Sequence, residues 1–194
     1  IGLSRVVLKP YLFLDTCQLD TMDRKLKDGS RENVGEAKVV VSLCKAIETA
    51  LRLPDTDKNR RKKKGKGKKA GRSAKHAHQV VTVGIITPYL GQKAQLEKQL
   101  RRAKVSMPIT VSTVDGFQGR EMDIVILACV RSNSKRGIGF VGDEKRMNVA
   151  LTRARDAMYI VGNSGVLAKR STAWSALIQD AHARHALVVR YFIS

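Results

Sequence analysis

Arg146 and Arg153 stand seven residues apart in the stretch DEKRMNVALTRARDAMYIVGN, Asp143 to Asn163. On a helix that spacing puts both side chains on one face, with Arg155 pointing elsewhere. Two guanidiniums on one face could serve the phosphates of a nucleotide. They could equally stay solvated, or pair with Glu144 and Asp156. A second chemical signal is Thr87 followed by Pro88, a pair that starts helices: the hydroxyl caps free N–H groups and proline fits the first turn. A helix start is also a ready place for a phosphate. A third is the run from residue 58 to 75, with eleven Lys or Arg and no acid. Such a run is a polycation and calls for a polyanionic partner.

Two further stretches imitate known sites and fail on spacing. GKGKKAGRS, Gly65 to Ser73, has glycines six apart where a phosphate-binding loop needs five, and Arg72 stands where that loop has Lys. RGIGFVGD, Arg136 to Asp143, imitates an RNA-recognition signature. Ile138 and Asp143 occupy two of its three stacking positions, so only Phe140 remains, as a core or loop anchor.

The elements that must position these groups follow from pattern. The chain has 194 residues, 43% hydrophobic but only 5% aromatic, so one domain with an aliphatic core is expected. Val80 to Ile86 and Ile124 to Val130 are apolar runs suited to strands buried on both faces. Strands are expected also at Val6–Asp15, Ile109–Val114, Ala157–Gly162 and Ala186–Phe192. Helices are expected at Gly35–Leu53, from Pro88 to about Ala103, at Asp143–Arg153 with Asp143 as cap, and at Thr172–Arg184. In the first of these helices Ala37, Val40, Val41, Cys44, Ile47 and Leu51 recur near the helical period. Residues 16–33 read as polar and irregular. The alternation of strand and helix means α/β with a largely parallel sheet.

Residues 55–79 are a low-complexity basic insert, expected to be a disordered surface loop within the single 1–194 domain. The net charge is +20, and without residues 58–75 the body still carries 26 bases against 17 acids. Cys17, Cys44 and Cys129 have no metal-ligand or redox spacing, so no metal site is expected and a reduced compartment fits best. No run is long and apolar enough to span a membrane. The chain starts at Ile1 and reads as part of a longer protein.

Three segments together resemble motifs IV, V and VI of superfamily 1 RNA/DNA helicases, in the branch containing senataxin and the nonsense-mediated-decay helicase. They are VGIITPYLGQKAQLEKQL (Val83–Leu100), STVDGFQGREMDIVILACVRS (Ser112–Ser132) and the Asp143–Asn163 stretch. SRENVGEAKVVVSLCKAI (Ser30–Ile47) resembles the segment entering the second RecA-like lobe. The resemblance implies a three-layer RecA-like domain with helices on both faces of the sheet. It implies ATP as nucleotide and Arg153 as the arginine that acts on the transferring phosphoryl group. Gly119, Glu121, Gln118 and Arg146 would serve ATP, with Glu121 accepting from the ribose hydroxyls and Gln118 able to touch either the nucleotide or the nucleic acid. Thr87, Pro88, Tyr89, Thr113 and Asp115 would lie along single-stranded RNA or DNA. Tyr89 would stack a base or simply pack; Asp115 would accept from a 2′-OH or cap the following turn. The Mg²⁺ ligands and the phosphate-binding Lys would belong to a first lobe of the same polypeptide, so this segment alone should not hydrolyse ATP. The alternatives are a nucleic-acid-binding protein with a degenerate lobe, and a basic tether working through the insert. RRKKK, Arg60 to Lys64, reads as a nuclear localisation signal, with the cytoplasm as the other compartment.

Overall fold

In the computed structural model, residues 9–19, 22–52, 81–133, 135 and 137–189 are described. The basic insert, and the outer parts of the first and last expected strands, lie outside them. Among the described residues eight strands form: β1 (Tyr11–Asp15), β2 (Arg24–Lys25), β3 (Arg31–Glu32), β4 (Val83–Thr87), β5 (Ile109–Thr113), β6 (Met122–Ala128), β7 (Ala154–Gly162) and β8 (Leu187–Val188). The α-helices among the described residues are α1 (Val34–Arg52), α2 (Leu90–Arg102), α3 (Glu144–Leu151), α4 (Ser164–Arg170) and α5 (Thr172–Ala183).

Six strands make one sheet in the order β5-β4-β6-β7-β1-β8, and every pairing in it is parallel. Successive strand side chains point to opposite faces, and the core divides accordingly. Leu12, Leu14, Ile85, Ile126, Tyr159 and Val161 face a layer built with Val40, Leu43, Ile47 and Leu96 of α1 and α2. Phe13, Ile86, Val125, Leu127, Met158 and Ile160 face the other layer, with Met147, Val166, Leu167, Trp174 and Ala181 of α3, α4 and α5. Helices cover both faces, so the molecule is the RecA-like α/β sandwich that the resemblance implies. Trp174 is fully buried and donates its indole N–H to the Val141 carbonyl at 2.8 Å, which ties α5 to the segment before α3.

The expected elements form with shifted ends. Leu51 keeps the helical period of α1 but is 47% exposed, so it is surface and not core. Residues 16–33, expected to be irregular, contain the small antiparallel pair β2–β3. The seven-residue α4 escaped the period analysis because it is too short to show a period; the side chain of Asn163 caps it by accepting from Val166 N–H at 3.0 Å. The Asp143 cap forms as expected, with its carboxylate accepting from the Arg146 amide at 3.1 Å. Helix α3 nevertheless ends at Leu151, and Arg153 sits past the Thr152 cap, just before β7. The shared helical face of Arg146 and Arg153 is therefore not formed.

The carboxyl end of β6 is held by buried polar groups. Asn33 caps α1 through its side chain and donates to the Val130 carbonyl at 3.1 Å. The Asn33 amide donates to Gln92 of α2 at 2.7 Å. The fully buried Glu36 carboxylate accepts the Val130 N–H at 2.8 and 2.9 Å. Val130 has φ 71°, a left-handed conformation that a β-branched residue adopts only when its surroundings fix it. Desolvation pushes the Glu36 carboxyl up from 4.5 to about 8, and the charge of Asp23 adds to that rise.

The folded state thus keeps a proton that the unfolded chain releases. Glu36 contributes stability that is present below about pH 4.5 and is lost as pH rises to about 8. Glu36→Gln should keep one acceptor for Val130 and remove this titration. Denaturation at pH 5 and pH 8.5 checks it: the wild type should lose stability relative to the variant at the higher pH. An equal gap at both pH values contradicts the assignment.

Candidate functional site

The segments that the sequence singles out meet along one connection, the turn from β5 to β6. It leaves β5 at Thr113, makes a 3-10 turn over Asp115–Phe117, and enters β6 through Gln118–Glu121. Thr113 Oγ1 accepts the Gly116 amide at 3.2 Å, so the turn is capped by Thr113 and not by Asp115. Phe117, fully buried, anchors the turn by lying against β4. A Cβ on Gly84 would come within 2.4 Å of the Phe117 ring, so only glycine leaves room there. Gly119 has φ 76° and open space around the position of its missing Cβ. Its requirement is thus the left-handed backbone, not a close neighbour within the chain.

One group of residues gathers around a cavity of about 250 Å³ at the start of this turn. Pro88, Thr113, Asp115, Phe140 and Arg146 line it. Arg146 makes a two-pronged contact with the Asp115 carboxylate, Nε and one Nη each at 3.2 Å. The pair is partly to largely exposed, so it orients the two side chains more than it stabilises the fold. The Arg146 guanidinium also lies 4.9 Å from the centre of the Phe140 ring. Arg146, assigned to ATP by resemblance, thus stands among the residues assigned to nucleic acid. Asp115 spends its carboxylate on Arg146 and caps nothing.

Thr87 and Tyr89 are placed differently from the expectation. Thr87 is the last residue of β4, fully buried, and its hydroxyl has no hydrogen-bond partner. The cap of α2 is Tyr89, which makes no side-chain cap bond. The Gly91 amide in the first turn is instead taken by Ser30 Oγ at 2.9 Å, 61 residues away. The Thr87 cap fails because the helix begins at Leu90, with Tyr89 and not Thr87 at the cap position. Tyr89 is 6% exposed: it packs, with its ring edge-on to Phe140 at 6.0 Å between centres.

The second group sits where β6 and β7 begin. The Arg153 carbonyl accepts the Met122 amide at 3.0 Å, which brings Glu121 and Arg153 together across 32 residues of sequence. Gln118, Gly119 and Glu121 are all exposed. The Arg153 side chain folds back on the end of α3: Nε donates to the Val149 carbonyl at 3.0 Å and one Nη to Thr152 Oγ1 at 3.0 Å. A cation at a helix carboxyl end is favoured by the exposed carbonyls there. Arg155, expected to point away from the site, approaches Glu121 at 3.4 Å and Asp123 at 3.7 Å. Hydrogen bonds from Thr82 hold the Asp123 carboxyl below its ordinary range. Arg155 was missed because its position was read from helix geometry, whereas it lies on a strand.

Among the described residues no group of three or more His, Cys, Asp or Glu is placed to hold a metal ion, and no helix is long and apolar enough to cross a membrane. Cys44 and Cys129 are buried and Cys17 is exposed, all three as free thiols. Burial pushes the Cys44 thiol up to about 12 and the Cys129 thiol well above its ordinary value, so neither is a ready nucleophile.

A parallel six-stranded sheet covered by helices on both faces defines a RecA-like α/β domain. The sequence of residues 4–165 matches a family described as an AAA domain. Regulator of nonsense transcripts 1 homolog of Drosophila melanogaster is 47% identical over 111 residues, 55% of this chain and 9% of that protein. Regulator of nonsense transcripts 1 of Dictyostelium discoideum is 46% identical over 111 residues, 55% of this chain and 8% of that protein. Helicase sen1 of Schizosaccharomyces pombe is 47% identical over 105 residues, 53% of this chain and 6% of that protein. The chain belongs to this AAA-domain family, and its relatives place it with the superfamily 1 helicases. The matched segment is less than a tenth of each of those three relatives' length.

Gly84→Ala should destabilise the fold by about 1–3 kcal/mol, because the added methyl must displace Phe117 or move the strand. Urea unfolding of the variant measures it. A midpoint unchanged from wild type would mean that Phe117 does not fix the turn.

Proposed function

We propose that this chain is the second RecA-like motor lobe of an ATP-dependent helicase. On this reading it carries motifs IV, V and VI and couples ATP hydrolysis to movement on single-stranded RNA or DNA. The observation that supports this most is the division of the β5–β6 turn. Its first part reaches the cavity with Asp115 and Arg146, and its last part reaches Arg153 at the start of β7. One short connection thus touches two exposed groups of charged residues, as a coupling element between two ligands must.

Arg153 is the residue that would act on the phosphoryl group. Charge builds on that group as it transfers, and a guanidinium offered from a second lobe offsets it. In this structure two of its three guanidinium nitrogens rest on Val149 and Thr152. On this reading the Arg153 side chain would exchange those contacts for the phosphoryl group when nucleotide is bound. Glu121 would accept from the ribose hydroxyls, exchanging Arg155 for the sugar. Gly119 lets the exposed backbone approach the nucleotide, and Gln118 stands next to it. Arg146, Thr113, Asp115, Pro88 and the nearby Tyr89 and Thr87 belong to the strand side.

On this reading the Mg²⁺ ligands that accompany ATP would belong to a first lobe of the same polypeptide, the whole protein would be the ATPase, and this lobe alone would be inactive. Its partners are that first lobe and a single strand. Nuclear location rests on RRKKK in the basic insert, outside the described residues.

Arg153→Ala in the full two-lobe protein should lower kcat for ATP by about 10³-fold or more while ATP binding survives, because an arginine finger acts on the transition state. Steady-state turnover with nucleotide titration measures both. A kcat within about threefold of wild type removes Arg153 from this role.

A further inference from the structure

Phe140 came out of the sequence as a core or loop anchor, and the structure shows it at the surface. It is 55% exposed. Among the described residues four large apolar side chains are exposed: Met22, Leu51, Leu90 and Phe140. Two of the four, Leu90 at 66% and Phe140, line the same cavity, together with Pro88, Thr113, Asp115 and Arg146. Water against an aromatic ring and a leucine in one concave site is unfavourable, and paired exposure of this kind marks a surface that takes an apolar ligand face.

The ring is also held in place. Arg146 covers it at 4.9 Å, and Arg146 is itself fixed by both oxygens of Asp115. Tyr89 meets it at an interplanar angle of 61°, and the Tyr89 hydroxyl lies 3.4 Å from the Ile138 carbonyl. Phe140 follows Gly139, whose φ of 58° turns the chain so that the phenyl group stands out. A ring braced by a guanidinium and a tyrosine while more than half exposed is a stacking platform with little freedom left to lose on binding. A nucleobase is a flat apolar face with polar edges and is the ligand that fits it. Arg146 adds positive charge for the adjoining phosphate, and the Asp115 oxygens remain exposed for a sugar hydroxyl.

We propose that Phe140, braced by Arg146 and Tyr89 and flanked by Leu90, stacks an unpaired base of the bound single strand. This rests on the reading of the cavity as the strand side of a helicase lobe, and it adds to that reading the element that holds the base. The contact is sequence-tolerant, because every base offers a π-face.

The full-length protein carrying Phe140→Leu, which keeps the bulk, is titrated with a uridine decamer and with a decamer of the same length that is abasic throughout. The wild type should bind the uridine decamer more tightly than the abasic one, and the variant should lose about 5- to 100-fold on the uridine decamer alone. In Phe140→Trp the new indole gives a signal read as the difference from wild type in the same titration, since Trp174, the one tryptophan of residues 1–194, is buried. Its emission should be quenched by the uridine decamer and restored by the abasic competitor in excess. Equal affinity of wild type and Phe140→Leu for the uridine decamer, without quenching in Phe140→Trp, overturns the stacking role while strand binding stands. Quenching by ADP without oligonucleotide assigns the ring to the nucleotide and overturns it too. A wild type that binds neither these decamers nor a thymidine DNA decamer defeats the helicase reading itself.

Discussion

The parallel alignment of β4, β6 and β7 is the constraint on which the rest depends. All three are buried on both faces, so their side chains alternate between two separate cores. A slip by one residue would exchange every side chain between those cores and put Phe117 and Gly84 out of step. The alignment of Met122 with Ala154 also decides which residues stand at the strand starts. The register shifts between Met122 and Ile124, so the core alignment does not extend to the strand starts, and the Met122 amide bond to the Arg153 carbonyl sets Glu121 beside Arg153 there.

Cohesion at the other end of the sheet has a different origin. Where β6 ends, packing gives way to buried polar contacts from Asn33, Glu36, Gln92 and Asp23. They hold Val130 in a left-handed conformation and direct the chain toward Phe140 and α3. Asp23 accepts the Ser132 and Asn133 amides at 3.0 Å and faces the buried Arg131 at 3.5 Å. Removing one member would leave a buried group unsatisfied, so the network fixes one geometry for the loop that carries the proposed stacking ring.

The sheet and its flanking helices were legible because apolar periodicity is a direct print of burial. The three segments that carry the resemblance fall, in chain order, on β4 with α2, on β5 with β6, and on α3 with β7. Side-chain placement was less so. The end of α3 lies two residues earlier than the pattern implies, and that shift moves Arg153 off the helix and places Arg155 beside Glu121. Thr87 looked like a cap because Thr-Pro is a frequent helix start, yet Ser30, far away in sequence, supplies the bond. Phe140 read as a core or loop anchor because aromatics usually pack; only the fold shows that it stands out at 55% exposure. Contacts between residues distant in sequence, such as Asp115 with Arg146, have no local signal at all.

The central claim is that one turn serves two ligands at two places, nucleotide at Gly119–Glu121 and strand at the Asp115 cavity. Glu121→Ala in the full-length protein tests it most directly, with a fluorescent nucleotide and, separately, a labelled oligonucleotide in the absence of nucleotide. The account predicts weaker nucleotide binding with oligonucleotide binding unchanged. Loss of oligonucleotide binding with nucleotide binding intact would contradict it.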